Sequence, residues 1–209
     1  MRERLLEATV ACLVEYGYAG TTVTRIAERA GVTRGAQVHH YRTKDDLVTA
    51  AVTHLAGKSA EFGWSQIERA ATAADPVGEL LDILWQMHQG PTFTATVELW
   101  VAARTDDELR KHVAGVEPVL LAVLREEVER AGGGAAVADF VDARLLAAVF
   151  TAMDAIRGLL ISAWHLPARQ RDARWARAHE QLRAVFPPND EVRTRIAGTA
   201  TLIHPSPTQ

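Results

Sequence analysis

Cysteine is all but missing from this 209-residue chain: Cys12 alone excludes an internal disulfide and cannot by itself form a metal site. It lies in a helical apolar pattern, the setting of a packed core thiol. Strand signals are equally sparse, with little β-branched alternation and no Asn-Gly or Asp-Gly hairpin turn, which argues against a β-rich fold. The first residues, Met1-Arg2-Glu3-Arg4, carry no apolar signal core. No stretch comes near the roughly 18 apolar residues that a membrane span needs, because Asp154 and Arg157 interrupt the longest candidate. By elimination the chain is expected to be cytoplasmic and not membrane-associated. Catalytic constellations are lacking as well. There is no Ser/His/Asp set, paired-carboxylate motif, phosphate loop or metal cluster, so neither an enzyme nor a resident cofactor is expected. Gly132-Gly133-Gly134 follows no strand and has the wrong spacing for a dinucleotide fingerprint; it reads as a flexible linker.

What is present is an ordinary globular composition, 48% hydrophobic and 23% charged, which argues against wholesale disorder. The net charge of −3 speaks against a nucleic-acid binder until its distribution is considered. Residues 1–58 hold 8 Lys/Arg against 6 Asp/Glu, whereas the remainder holds 15 against 20. Between residues 33 and 44 lie Arg34, His39, His40, Arg42 and Lys44 with no acid before Asp45. A local basic patch on an acidic body suits a DNA-binding head attached to a larger domain of another kind.

Helical periodicity runs from end to end, predicting an all-α fold of about nine helices. Leu5, Leu6, Thr9, Val10 and Leu13 form one stripe, stopped at Gly17. Thr22 can cap a second helix ending at Gly31, and Thr33 a third ending at Tyr41. Thr43 with Asp46 resembles a capping box for a fourth, carrying Leu47, Ala51, His54 and Leu55 past Lys58. Asp75-Pro76 opens a helix to about His88, Gly90-Pro91 another to about Ala103, and Thr105 to Glu108 a capping box for a long helix to about Arg130. Helices over about 138–164 and 167–186 follow, and Pro187-Pro188 ends the last. The tail from 189 to 209 shows no convincing periodicity and is expected to be flexible.

Residues 22–41 are the informative stretch, because a helix-turn-helix needs a short helix, a sharp turn and a second helix free to enter the major groove. Ala27 is small where the helices approach, Gly31 permits the left-handed turn, and Val32 can plug the corner. Thr33 can cap the recognition helix and leave its first amides open to phosphate. Arg34, Gly35, Ala36, Gln37, Val38, His39 and His40 then give a small, polar surface without carboxylates. An ordinary helical hairpin would satisfy the same chemistry. The two histidines diverge by about 100° on a helix, so they do not converge on one metal ion.

The run from Gly17 to Leu47, GYAGTTVTRIAERAGVTRGAQVHHYRTKDDL, resembles the N-terminal domain of the TetR family of transcriptional regulators, ungapped over about the first 55 residues. A second segment, Glu98 to Asp106, is similar to some members. The resemblance implies a DNA-binding domain over 1–55 and a helical effector-binding and dimerisation domain over 56–188. It places DNA contacts at Thr22, Thr24, Thr33, Arg34, Gly35, Gln37, His39, His40 and Lys44. Arg34 is the best candidate for reading a guanine edge, and Tyr41 is better suited to the core. Val38 stands where the family often has a phosphate-touching tyrosine, and Gln37 where it often has leucine.

The same resemblance implies a homodimer on a double-stranded DNA operator, a repressor released by a small-molecule effector. Its dimer face would be the last two long helices, with Ala147, Ala148, Ala155 and Gly158 allowing close packing. Trp85, Met87, His88, Phe93, Trp100 and Met153 are candidate effector-pocket residues, together with Arg157, although each aromatic could instead simply fill the core. Asp154 and Arg157, three residues apart, can pair. The alternative is a helical scaffold or interaction protein of the same fold with weak or no DNA binding.

Overall fold

The computed structural model describes residues 1–114 and 143–203, all helices and connecting turns with no strand among them. The glycine run at 132–134, the body of the helix expected to reach Arg130 and the start of the one expected from 138 lie outside the described residues. The chain divides into two compact units. The first comprises Met1–Ala60 together with the segment from Gln89 through residue 114, the second Glu61–His88 and the described residues from 143 onward. The segment from Gln89 therefore groups with the N-terminal residues, whereas the sequence had been divided at residue 55.

In the first unit, α1 (Arg2–Gly20) buries Leu5, Leu6, Val10, Cys12 and Leu13 along one face. Thr9, polar within that stripe, is satisfied by donating its hydroxyl to the Leu5 carbonyl at 2.7 Å. At Gly17 the helix kinks through φ 63° and ψ 178°, backbone that only glycine adopts without strain. A Cβ there would also sit 2.9 Å from the Glu98 carboxylate, so the second TetR-like segment abuts this kink. Next come α2 (Val23–Ala30), α3 (Arg34–His40) and α4 (Lys44–Ser65), whose last residues belong to the second unit. α7 (Pro91–Ala103) packs along α1, and α8 (Asp107–Val113) packs on α7. One core joins these elements: Leu5, Leu13, Ile26, Leu47, Leu99 and Leu109 are each at most 1% exposed. Burying a side chain of that size stabilises by about 1.5–3 kcal/mol. The cap of α8 is Asp106, which accepts from the Glu108 and Leu109 amides, rather than Thr105 as the spacing suggests.

In the second unit, Asp75 caps α6 (Pro76–Met87) as expected, and its carboxylate also pairs with Arg183. That guanidinium holds the Asp75 carboxyl below its ordinary range. α6 packs on α5 (Ile67–Thr72), on α9 (Ala143–Ser162) and on α11 (Asn189–Ile203). α10 (Ala168–Leu182) packs on α9 and ends in a 3-10 turn, Arg183–Val185.

Two of these elements depart from the sequence expectation. α5 was not anticipated: its six residues bury Ile67, Ala70 and Ala71, too few positions to show a period. The tail is not loose as far as Ile203, since α11 packs on α5 and buries Val192 and Ile196. Asn189 at its start accepts the Val77 amide at 3.2 Å, so tertiary contacts order a segment whose own propensity is weak.

α9 also corrects the sequence reading on apolar length. Arg144–Ser162 has a mean hydropathy of 1.7 and is long and apolar enough to cross a membrane by composition alone. Its buried residues recur at helical spacing, Leu145, Ala148, Ala152, Ile156 and Leu160, so one face packs within the bundle. Arg157 pairs with Asp154 at 3.3 Å on the same helix.

Candidate nucleic-acid interface

Each joint of the 22–41 segment is held by a side chain or turn that its sequence supplies. The Thr22 hydroxyl accepts from the Arg25 amide at 3.3 Å and caps α2. Gly31 ends that helix in the left-handed conformation, φ 63° and ψ 41°. The Val32 amide then closes back on the Ala27 carbonyl at 3.0 Å, the six-to-one bond of a Schellman turn. Thr33 caps α3 by accepting from the Ala36 amide at 3.2 Å. Thr43 and Asp46 form a reciprocal capping box, both bonds 3.0 Å, at the start of α4. Hydrogen bonding to the carboxylate, from the Thr43 amide first and then the Thr43 side chain, keeps the Asp46 carboxyl below its ordinary range.

α3 has two distinct faces. Gln37 and Tyr41, one turn apart, point inward; Gln37 is wholly buried and Tyr41 is 8% exposed. The Tyr41 hydroxyl accepts from Arg2 Nε at 2.9 Å, which fixes the end of α3 to α1 and confirms it as a core residue. Arg34, Gly35, Val38, His39 and His40 are exposed on the remaining surface, as are Thr22, Thr24 and Thr33 around the turn. The imidazoles of His39 and His40 meet edge to face, 5.4 Å between centroids.

Two expected contact residues are placed differently. Gln37 is buried away from the outward face, its amide nitrogen bonding the Tyr41 carbonyl and its Oε1 without a hydrogen-bond partner. It occupies a core position despite its polarity. Lys44 is partly committed: its ammonium donates to the Tyr18 carbonyl at 2.6 Å and lies 3.6 Å from the centre of the Tyr18 ring. Partial burial pulls its pKa down from the ordinary lysine value, the nearby Asp45 opposing the shift. The Tyr18 hydroxyl donates to Asp45 at 3.1 Å, and burial first, then that bond, push the phenol up to about 12. The kink at Gly17 delivers Tyr18 to this contact, a coupling of α1 to α4 that the sequence reading missed.

The candidate effector residues divide between the two units. Phe93 and Trp100 belong to the first unit, where they pack edge to face, 6.5 Å between centroids. Trp85, Met87, His88, Met153 and Arg157 belong to the second. There Arg157 Nε donates to His88 Nε2 at 3.3 Å, while His88 Nδ1 meets the Leu84 carbonyl at 2.8 Å. Burial, and next to it the Arg157 charge, drive the His88 imidazole down to about 4, against the pull of the Leu84 carbonyl. Trp85 stacks on Trp175 at 4.6 Å, an aromatic partner that the sequence reading did not single out. Of the four small residues assigned to a dimer face, Ala147 and Gly158 are exposed and Ala155 is half-buried, but Ala148 is buried at 3% within the protomer.

Comparison with known proteins accords with this geometry. Residues 5–51 match the family of bacterial regulatory proteins, tetR family. A stretch of 113 residues is 32% identical to an uncharacterised HTH-type transcriptional regulator of Mycobacterium tuberculosis, covering 54% of this chain and 58% of that protein. The HTH-type transcriptional regulator CymR of Pseudomonas putida is 31% identical over 110 residues, 53% of this chain and 54% of its own length. The chain thus spans little more than half the length of these relatives. Among solved structures, the multidrug binding protein EbrR complexed with ethidium superposes with a TM-score of 0.61 at 21% identity, covering 90% of this chain and 99% of that one. A TetR-family member from Streptomyces coelicolor gives 0.57 at 22% identity, covering 90% and 98%. Both likenesses establish the fold. Over residues 5–51, which include the helix-turn-helix, the chain thus matches the tetR family of bacterial regulatory proteins.

Proposed function

We propose that this protein is a transcriptional regulator that binds a two-fold symmetric operator as a homodimer and releases it when a small-molecule effector binds. The observation that carries the reading is the outward face of α3, where Arg34, Gly35, His39 and His40 stand exposed and free of carboxylates on a helix capped and pinned from behind. That surface suits the major groove: Arg34 would bond a guanine edge, and Thr22, Thr24, Thr33 and Lys44 would serve the backbone.

Dimerisation is supported by α9, an apolar helix of which only 33% is buried within the protomer. Ala147, Thr151, Gly158 and Ile161 recur along its exposed side. A second copy laid on that side would supply the paired recognition helices that successive major grooves require, about 34–36 Å apart.

The second unit is the proposed home of the effector response, with the His88–Arg157 pair as its polar group and Trp85 and Met153 as apolar neighbours in the same unit. Phe93 and Trp100 remain candidates from the first. DNA and effector would favour different settings of the recognition helices and so oppose each other reciprocally. α4, whose residues pass from one unit into the other, is the covalent route for that coupling.

The test is the salt dependence of duplex binding. Counterion release makes the affinity of a true binder fall steeply, by orders of magnitude between about 50 and 200 mM salt. A flat salt dependence with weak binding throughout would favour the scaffold instead.

A further inference from the structure

We propose that Val38 reads the 5-methyl group of a thymine in the major groove, as a specificity-determining residue of the DNA site; this rests on the DNA-binding reading above. Val38 is 45% exposed on the outward face of α3, while Gln37 and Tyr41 fill the inward face. Nearly half of its surface therefore stays outside the core of its own unit. As a β-branched residue it also has lower helix propensity than alanine, so local helix stability does not account for it. The side chain is suited to a partner surface.

Three observations identify that partner. No carboxylate lies between Val32 and Lys44, and the charged side chains within α3 and its flanks are basic, so the surface suits a polyanion. Gly35, one turn before Val38, is exposed, and a Cβ built on it would meet nothing within 4 Å. A base edge can thus approach the backbone right beside Val38. Finally, Arg34 lies one helical turn from Val38 and is itself exposed. One turn advances about 5.4 Å, so the two side chains address neighbouring base pairs.

In the major groove the C5-methyl of thymine is the apolar feature by which the base pairs differ; every other distinguishing group is a hydrogen-bond donor or acceptor. Valine can make no hydrogen bond through its side chain, so its readout in that groove is of a methyl group. An operator half-site should accordingly hold a thymine close to the guanine bonded by Arg34.

The experiment uses the duplex that the full-length protein enriches from random sequence. Each thymine in turn is replaced by deoxyuridine, which removes the methyl and keeps the pairing. The wild type and Val38→Ala are then titrated by fluorescence anisotropy, with circular dichroism to show that the variant retains its helices. At one thymine per half-site, demethylation should weaken wild-type binding about fourfold, the equivalent of about 0.8 kcal/mol for one buried CH₂-sized group. Val38→Ala should lose sensitivity at that position and retain whatever sensitivity exists elsewhere. Wild-type binding indifferent to every methyl would overturn the proposal, as would a sensitivity that survives unchanged in Val38→Ala. A wild type that binds the unmodified duplex but ignores methyls refutes Val38 alone, whereas one that binds no duplex refutes the regulator reading and Val38 with it.

Discussion

The ammonium of Lys44 lies 3.6 Å from the centre of the Tyr18 ring and donates to the Tyr18 carbonyl at 2.6 Å, tying the first turn of α4 to the chain just beyond the kink in α1. A residue that the TetR resemblance makes a candidate phosphate anchor is thus a brace within the first unit. Lys44→Ala should lower the unfolding free energy by about 1–2 kcal/mol, through loss of a charged hydrogen bond and a cation–π contact. It should also weaken binding to all DNA sequences alike. Chemical denaturation and binding to two unrelated duplexes check both effects. An unchanged denaturation midpoint would show that the brace contributes nothing.

Gly35 separates stability from recognition. Nothing lies within 4 Å of a Cβ at this position, so Gly35→Ala should fold and gain about 0.5–1 kcal/mol of helix stability. The added methyl would stand between α3 and the groove floor and should weaken operator binding. Stabilisation with unaltered affinity would mean that α3 does not approach the bases at Gly35.

Gln37 supplies a control within the same helix. Its buried Oε1 is without a partner, a cost that leucine would remove while filling similar volume. Gln37→Leu should match or exceed the wild-type stability, whereas Gln37→Ala should lose about 2 kcal/mol to a cavity. Neither should alter the sequence preference. A change of preference in Gln37→Leu, measured by competition between duplexes, would return this residue to the DNA surface.

His88 predicts a pH dependence in the second unit. Its pKa is held at about 4 in the folded protein against an ordinary 6.5. Between those values the unfolded chain takes up a proton that the folded chain refuses, so the His88 contribution is fully present above pH 6.5 and is lost as pH falls toward 4. The loss should reach about 3 kcal/mol, since each pKa unit is worth about 1.4 kcal/mol. Protonation would also set a second cation against Arg157. Urea midpoints of the wild type and His88→Asn across this window should converge as the pH drops. Parallel curves would contradict the burial of a neutral imidazole.

Much of the first unit could be read from the sequence because its signals are local. Thr22, Gly31, Thr33 and the Thr43–Asp46 box each act within a few residues, and each caps or turns the chain where its spacing implies. Gln37 misled because polarity was taken for exposure, although its spacing from Tyr41 already placed it on the inward face. α5 and α11 were illegible for another reason: each is ordered by its contacts with other helices, and neither carries an apolar stripe long enough to announce itself. Arg34, Gly35, His39 and His40, candidate contacts by resemblance, are exposed on α3, but the brace between Lys44 and Tyr18 depends on the Gly17 kink, whose direction no periodicity conveys.

The most direct measurement is selection of random duplex DNA on the full-length protein, read out by sequencing. A DNA-binding homodimer should enrich a two-fold symmetric site whose half-sites lie about one helical turn, 34–36 Å, or a multiple of it apart. No enriched sequence at low salt, with the protein folded, would contradict the assignment of α3 as a recognition helix.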